Sequence, residues 1–506
     1  MMTYLEPQKE IDVYDDVDVI VVGGGPAGSS AALAAGRMGA KTLLIERFGC
    51  LGGVQSLGVA PLFMFPDPEV HGGIMKEILK RLEDGGATTK AKHLPKVDEN
   101  SMIQKALLAM KVRDKLPKRM YESAGFWGQL GRAFDAEYYK LMLDEMMQEA
   151  EVKLMYHTFA AGVIREDDML KGVVIESSEG RKAVMGKVVI DTTGMGDISR
   201  KSGAAIMGDE GFPVGNRKGR HVGMMIGYYI GGVNHEKFNA FCKENPEDWG
   251  AFFKGAAFVK QGIREGYHVR DMGIVLYNIS DGRTWIQHAA YGLKGGRGYE
   301  IREQTSAEIE IRKQMYGLQK LFKDKIPGFE SSYVQKAAIL PLNGDPCRML
   351  GEYVMTVADM RAGRIFEDSI GIANMPPDTF EMLGRMDFDI LPYDIPYRCL
   401  ISRDINNLMA AGTTMSSGGV SVCAMRFSAP SLAQGQGAGT AAAMSVKQGV
   451  SPKQVDIKAL QDNLRRQGVY ISVKERPDEA IEPYRAIQQL TMMGGKHEFF
   501  EDMNKY

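Results

Sequence analysis

Over the first fifty residues the alternation of apolar and polar positions changes period three times. An acidic, polar lead gives way at residues 19–22 to an unbroken β-branched run, the pattern of a strand covered on both faces. Small residues then open a helical pattern through Ala31, Leu33 and Ala35 to Arg37, with Gly39 placed for a left-handed cap. Residues 42–45 predict a second strand that ends on Glu46. Further on, residues 134–149 set Ala136, Tyr139, Leu143 and Met146 on one face of a helix whose other face is acidic. Short runs at 153–157, 160–165, 170–176 and 183–185, with turn signals at Asp167-Asp168 and Glu179-Gly180, predict a small antiparallel meander. A further strand at 187–191 leads into a second glycine turn.

From about residue 208 the strand-helix-strand rhythm is lost until about 397. Strands are expected at 223–232 and 274–290, and a long helix at 300–322 that Pro327-Gly328 stops. Residues 406–412 restore the earlier pattern of a buried strand ending in glycine. After Arg426 comes APSLAQGQGAGTAAAM, a helix so poor in bulk that something must approach its backbone. Glycine inside a helix costs about 1 kcal/mol relative to alanine, so Gly435, Gly437 and Gly439 need a reason. Close packing is one, and a bound ligand is another.

Glycine punctuation adds chemistry to the first strand. Gly23, Gly25 and Gly28 form G-x-G-x-x-G between a strand and a helix, with Pro26 and Ala27 inside the turn. Such glycines permit a tight turn, let backbone N–H groups approach a pyrophosphate, and let the helix lie close on the strand. Glu46 stands 18 residues beyond Gly28, near the distance at which a carboxylate meets a ribose 2′-hydroxyl. An acid there disfavours a 2′-phosphate, which leaves FAD or NAD. Arg47 follows it, and Gly49, Gly52, Gly53 and Gly58 space out a loop able to lie flat on a ligand.

Bulk composition removes other classes. A net charge of −2 over 506 residues offers no field for nucleic acid, so small molecules, with a homo-oligomer left open, are the expected partners. No apolar run reaches the roughly 18 residues of a membrane span, and the acidic start is unlike a signal peptide, which gives a cytoplasmic expectation. Five scattered cysteines form no C-x-x-C pair, which argues against a disulfide framework or an iron–sulfur cluster, and no metal set is expected. Cys50 is read as small apolar filler rather than a flavin link, and the 33 methionines as adaptable core filler. The basic stretch from Lys90 to Arg119 is read as a solvated insertion.

One nucleotide fold formed early, completed by a strand near 190 and closed near the C-terminus, is the layout of FAD enzymes. The chain resembles the FAD-dependent oxidoreductase family in its Gly23 to Gly28 turn, Glu46 with Leu51-Gly52-Gly53, the run from Ile190 to Asp197, Ile395 to Leu400, Asn407 to Gly412, Arg426, and Gly435 to Ala442. More distantly it is similar to fumarate reductase and ketosteroid dehydrogenase flavoproteins. The resemblance implies an α/β fold: a Rossmann-like FAD-binding domain of three layers, with a mostly parallel sheet and a small meander, joined to a second α+β substrate domain. The expected segments are 16–70, 134–207 and 398–450 for FAD, 71–133 as a helical insertion or cap, 208–397 for substrate and 451–506 as a helical tail.

It also implies roles. Gly23, Gly25 and Gly28 would hold the pyrophosphate and Glu46 the ribose, with Arg47, Gly52 and Gly53 nearby. Gly194, Asp197 and the Gly412 turn would approach the ribityl chain. A helix N-terminus around Gly435, Gln436 and Gly439 would face the flavin pyrimidine edge. Arg426 would neutralise that edge or clamp a substrate carboxylate. Relatives carry R-E-x-R-R before G-x-Y, whereas here only Arg348 remains before Gly351, so substrate choice does not transfer. The expected reaction is hydride transfer between a C–OH or CH–CH unit and flavin N5, with an electron acceptor still to be identified. Tyr397, Arg398, Tyr228 and His288 are the acid–base candidates. A flavin monooxygenase, or an electron-transferring flavin subunit without its own substrate, is the alternative.

Overall fold

The computed structural model describes residues 4–5, 8–64, 70–88, 131–207, 212–214, 217–220, 223–249, 253–278, 283–293, 297–341, 346–378, 390–478, 480–482, 484–485 and 488. The basic run 90–119 lies outside them.

A seven-stranded sheet forms the first layer system. Its strands are β1 (Val13–Val22), β2 (Thr42–Ile45), β3 (Lys153–Met155), β4 (Phe159–Glu166), β5 (Met169–Ser177) and β6 (Gly180–Asp191), with Leu408–Ala410 as the seventh. The spatial order is β3-β2-β1-β6-β5-β4, and Leu408–Ala410 also pairs with β6. Pairings β1–β2, β1–β6, β2–β3 and that of Leu408–Ala410 with β6 are parallel, whereas β4–β5 and β5–β6 are antiparallel. Leu44, Val19, Val21 and Ile190 are sealed on one side, and Ile20, Leu43, Ile45 and Val189 on the other, which explains why these runs are apolar without alternation.

Two expectations change here. The segment at 153–157 does not join the meander but adds parallel to β2, because α3 (Ala136–Glu149) before it supplies the crossover. Residues 183–185 and 187–191 are one strand, β6. Gly186 lies inside it, where an added Cβ would meet the side chain of Ile20 at 2.7 Å. It is a close-packing point rather than a break.

Helix α1 (Pro26–Arg37) crosses from β1 to β2, and α2 (Gly73–Asp84) follows the cavity loops. Helix α3 starts at Asp135, whose carboxylate accepts from the backbone N–H of Glu137 and Tyr138.

The second sheet is wholly antiparallel. Its strands β7 (Met224–Gly231), β8 (Phe253–Lys254), β9 (Ile274–Asn278), β10 (Thr284–Tyr291) and β11 (Tyr333–Ala337) run in the order β8-β9-β10-β7-β11. The expected strand at 274–290 is therefore two antiparallel strands, β9 and β10. Helix α5 (Ile301–Lys325), after the short α4 (Asp197–Lys201), packs on this sheet through Ala307, Ile311, Met315 and Leu318. Helix α6 (Ser428–Gln448) lies along α1. The chain is thus mixed α/β, with a mostly parallel sheet and separate antiparallel ones.

Candidate functional site

Five parallel strands end on the same side of the first sheet, and their C-terminal residues run into Gly23, Glu46, Tyr156, Thr192 and Ala411. The crevice outside the carboxyl ends of such strands is where an open α/β sheet binds ligands. A cavity of about 2080 Å³, counted out to its mouth, opens there.

Glycines in the first turn divide into two kinds. Gly28 packs so tightly on the carbonyl of Gly23 that a Cβ would lie well inside 3.0 Å of it, and Thr192 Oγ1 would be 2.6 Å away. Gly25 is the opposite case: a Cβ there would meet nothing within 4 Å, and the residue lines the cavity. It is also the N-cap of α1, with no side-chain capping bond. The first N–H groups of α1 therefore keep their capacity for an anion.

Glu46 is buried, with 6% of its surface exposed. Its Oε2 accepts from Gly24 N at 2.6 Å and its Oε1 from Phe48 N at 2.9 Å, so the carboxylate ties two cavity loops together. Burial raises its pKa although both backbone donors pull it down. Asp191, at the end of β6, is fully buried. Its Oδ1 accepts from Thr193 N and Oγ1 at 3.1 and 2.7 Å, and its Oδ2 from Ser199 N and Oγ at 2.7 Å each. Burial raises its pKa too. These four bonds fold the loop that carries Gly194 and Asp197 into the cavity wall.

Gly412 occupies the left-handed region at φ +73°. Its N–H donates to Gln434 Oε1 at 2.7 Å, and Gln434 Nε2 donates to Met425 O at 3.0 Å. Gln434, which the sequence reading did not single out, therefore holds the turn. Gln436 does not reach the cavity. Its Oε1 accepts from Ile74 N at 2.9 Å and its Nε2 donates to Gln467 Oε1 at 2.9 Å.

The expected helix terminus moves accordingly. Helix α6 begins at Ser428, and Phe427, Ser428 and Ser431 line the cavity while Gly435 and Gly439 do not. A Cβ at Gly435 would strike the carbonyl of Ala27, and one at Gly439 that of Ala31. Bulk is missing there because α6 lies backbone to backbone on α1, so close packing is the reason for these glycines.

Gly23, Gly25, Pro26, Ala27, Glu46, Arg47, Gly53, Gly194, Asp197, Gly412 and Arg426 all line the cavity, while Gly28 and Gly52 stand just behind it. The four acid–base candidates lie elsewhere. Tyr397 is 1% exposed and donates to Pro452 O at 2.8 Å. Arg398 is bound to Asp368 at 3.0 Å on the surface side. Tyr228 and His288 are fully buried, and burial pushes His288 down to about 4. The two-residue period of a strand explains the last two. Gln287 and Trp285 share the cavity face of β10, so His288 and Ile286 point away from it. Cys50 lies outside the cavity lining, and burial raises its thiol, so nothing activates it. Arg348 is buried in a two-residue strand paired with residues 206–207.

Residues from the second sheet close the cavity: Met225 on β7, Met272, Val275 on β9, Trp285 and Gln287 on β10, with Leu340 and Pro341. Leu57, Ala60 and Leu62 add to this apolar wall. The sequence carries no signal that marks them, since β10 is buried along nearly its whole length on both faces.

A family model described as FAD dependent oxidoreductase matches residues 18–464. The chain belongs to that family. Its cofactor is FAD. Among curated proteins it is 30% identical over 188 residues to digeranylgeranylglycerophospholipid reductase of Methanosarcina acetivorans. That match spans 36% of this chain and only 38% of the length of the relative. Among solved structures it is similar to a geranylgeranyl bacteriochlorophyll reductase-like protein of Thermoplasma acidophilum (TM-score 0.45, 13% identity, 97% of this chain and 95% of the other). It is also similar to p-nitrophenol 4-monooxygenase of Pseudomonas putida (TM-score 0.43, 13% identity, 97% and 99%). Among the described residues no helix is long and apolar enough to cross a membrane.

Proposed function

We propose that this FAD-dependent oxidoreductase is a dehydrogenase or reductase that exchanges a hydride with a small organic molecule bearing a C–OH, CH–CH or enone unit. One observation carries the reading: a single cavity joins the dinucleotide loops of the first sheet to an apolar wall supplied by the second. The flavin, when bound, supplies hydride acceptance or donation at N5.

The chain's own residues do the rest. Gly23, Gly25 and the N-terminus of α1 take the pyrophosphate, Gly28 by keeping the turn tight against Thr192. Glu46 takes the adenosine ribose, and Asp197 with the Gly412 turn takes the ribityl chain. Ser428 and Ser431 at the start of α6 bring the positive end of that helix to the cavity. Met225, Val275, Trp285 and Leu340 exclude water from the substrate side. Arg426 faces this space, whereas the four acid–base candidates do not line it, so Arg426 is the residue assigned to orient substrate or stabilise developing negative charge. The segments 16–70, 134–207 and 398–450 would form the cofactor unit and 208–397 the substrate unit.

The test begins with the absorption spectrum of the purified protein before and after acid precipitation, followed by anaerobic mixing with candidate substrates. Flavin released as FAD and bleached by a substrate without oxygen supports the reading. Bleaching by no small molecule favours a subunit that only passes electrons. A reduced flavin that consumes oxygen and yields hydroxylated product makes the protein a monooxygenase instead.

A further inference from the structure

Resting on the reading that substrate shares this cavity with FAD, the two glutamines in its wall narrow what the substrate is. Gln55 is spent on the protein: its Nε2 donates to Leu62 O at 3.3 Å and its Oε1 accepts from Tyr139 Oη at 3.1 Å. The half-buried Gln287 differs. Its Nε2 reaches Met225 Sδ at 3.3 Å, and a thioether accepts so weakly that the amide N–H groups stay open to a better acceptor. Its Oε1 has no hydrogen-bond partner among the described residues.

Gln287 stands on β10 opposite Gly227 of β7 and Val275 of β9. Opposite residues share a face of the sheet, so β7 lays no side chain over the amide and β9 only an apolar one. Trp285, two residues away on the same face, turns its Nε1–H to Val59 O. Among the described side chains that the second sheet gives to the cavity, Gln287 is the polar group left facing the ligand.

Its amide shows an acceptor and a donor side by side. When an apolar molecule dries that wall, a group left unmatched costs a hydrogen bond. A ketone answers the N–H and leaves Oε1 unpaired. A hydroxyl serves one of the two well, since its proton and lone pairs diverge. An N–H beside a C=O serves both through two nearly parallel bonds, the way a glutamine amide pairs with the donor–acceptor edge of adenine. Turning the Gln287 amide over exchanges donor and acceptor and leaves the demand the same.

We propose that Gln287 is the specificity residue of the substrate side, and that the molecule it selects carries an N–H beside a C=O, as in a lactam or carboxamide, on an apolar body. The flavin pyrimidine edge has the same pattern, but the start of α6 with Ser428 and Ser431 is assigned to it, whereas Gln287 is set among Met225, Val275 and Trp285.

The experiment uses the full FAD-loaded protein and reads binding without turnover. Caprolactam against cycloheptanone, and benzamide against acetophenone, are titrated by calorimetry and by the shift of the flavin absorption band. No net charge separates the members of a pair. The amide of each pair is expected to bind the wild type more tightly. In Gln287→Met, close in shape but without an amide, the amide-to-ketone ratio of affinities is expected to fall by about tenfold or more, and FAD affinity to stay unchanged. Ligand hydration cancels in that ratio. Gln287→Glu is expected to lose the preference as well, because a carboxylate has no donor for the ligand C=O. A ketone that binds the wild type as tightly as its amide overturns the inference, as does a ratio unchanged in the variants or no binding of either amide at millimolar concentration. Loss of FAD with the ratio intact overturns it too and gives Gln287 to the flavin ring. The wild-type comparison stands even if both variants fail to fold. Anaerobic bleaching, which decides the hydride reading, plays no part in these constants, so either claim can fail alone.

Discussion

Gly435 of α6 faces the backbone carbonyl of Ala27 in α1 so closely that a single methyl group would drive into it. Gly439 repeats the relation one turn on, against Ala31. The obstacle in each case is main chain, which cannot rotate aside. Gly437, on another face of the same helix, would meet only the side chain of Ile370, at 2.5 Å.

Substitution by alanine should therefore rank by what is struck. Gly435→Ala and Gly439→Ala are expected to destabilise the fold by about 1–3 kcal/mol, the range for overpacking, and to release FAD as α1 is displaced. Gly437→Ala should cost less, since Ile370 can change rotamer and alanine is the better helix former. Thermal unfolding of the three variants without cofactor checks the order, and equal losses in all three would contradict it.

A second contrast separates ligand contact from packing in the first turn. Gly28→Ala places a Cβ against Gly23 O and should prevent normal folding. Gly25→Ala adds its Cβ where no protein atom lies within 4 Å, so the variant should fold with near wild-type stability. Its methyl nevertheless enters the space proposed for the pyrophosphate, and FAD affinity should fall by tenfold or more. Circular dichroism with a flavin titration distinguishes the two, and Gly25→Ala protein that binds FAD normally would remove the phosphate from that turn.

Glu46 allows a test that keeps the shape of the side chain. Its two oxygens accept from Gly24 and Phe48, and bonds to a charged acceptor contribute about 1.5–3 kcal/mol. Glu46→Gln turns an amide NH₂ toward one of these N–H groups, so one bond is lost and one donor is opposed. FAD affinity should weaken by about 10- to 100-fold, read by fluorescence titration of the apoprotein, and unchanged affinity would show that the carboxylate serves the fold alone.

Much of this geometry was legible in the sequence because it is local. The first strand, turn, helix and acid lie within thirty residues, and their periods, caps and glycines are read directly from neighbours. The rest depends on which element meets which. Nothing near residue 435 says that α1 is the partner of α6, so a packing surface reads like a ligand surface. Within β10, a strand buried on both faces loses the polar alternation that would mark its cavity side. His288 and Gln287 then look equally eligible, although they point in opposite directions. The expectation that 153–157 joins the meander fails for the same reason, since strand order is set by the crossover helix and not by the strand's own residues.

Two buried groups should leave opposing marks on stability as pH changes. Asp394 is buried and pushed up from 3.8 to about 6, chiefly by desolvation, despite accepting from Val473 N, Ser472 Oγ and Phe366 N. A carboxyl with a raised folded pKa contributes stability that is fully present below its unfolded pKa and is lost as pH rises through the folded one. Its contribution should therefore decline between about pH 4 and pH 6. His288 runs the other way: burial lowers it from 6.5 to about 4, so its contribution is complete above pH 6.5 and is lost as pH falls through 4. The two windows overlap and the slopes oppose. Relative to the wild type, Asp394→Asn should gain stability as pH rises from 4 to 6, and His288→Gln should lose it as pH rises from 4 to 6.5, each by a few kcal/mol at most. Denaturant unfolding at half-unit pH steps measures both differences against the wild type. Parallel curves for wild type and Asp394→Asn would mean that Asp394 titrates alike in the folded and unfolded chain, and the buried carboxyl would then have to be solvated by water reaching it past Ser472.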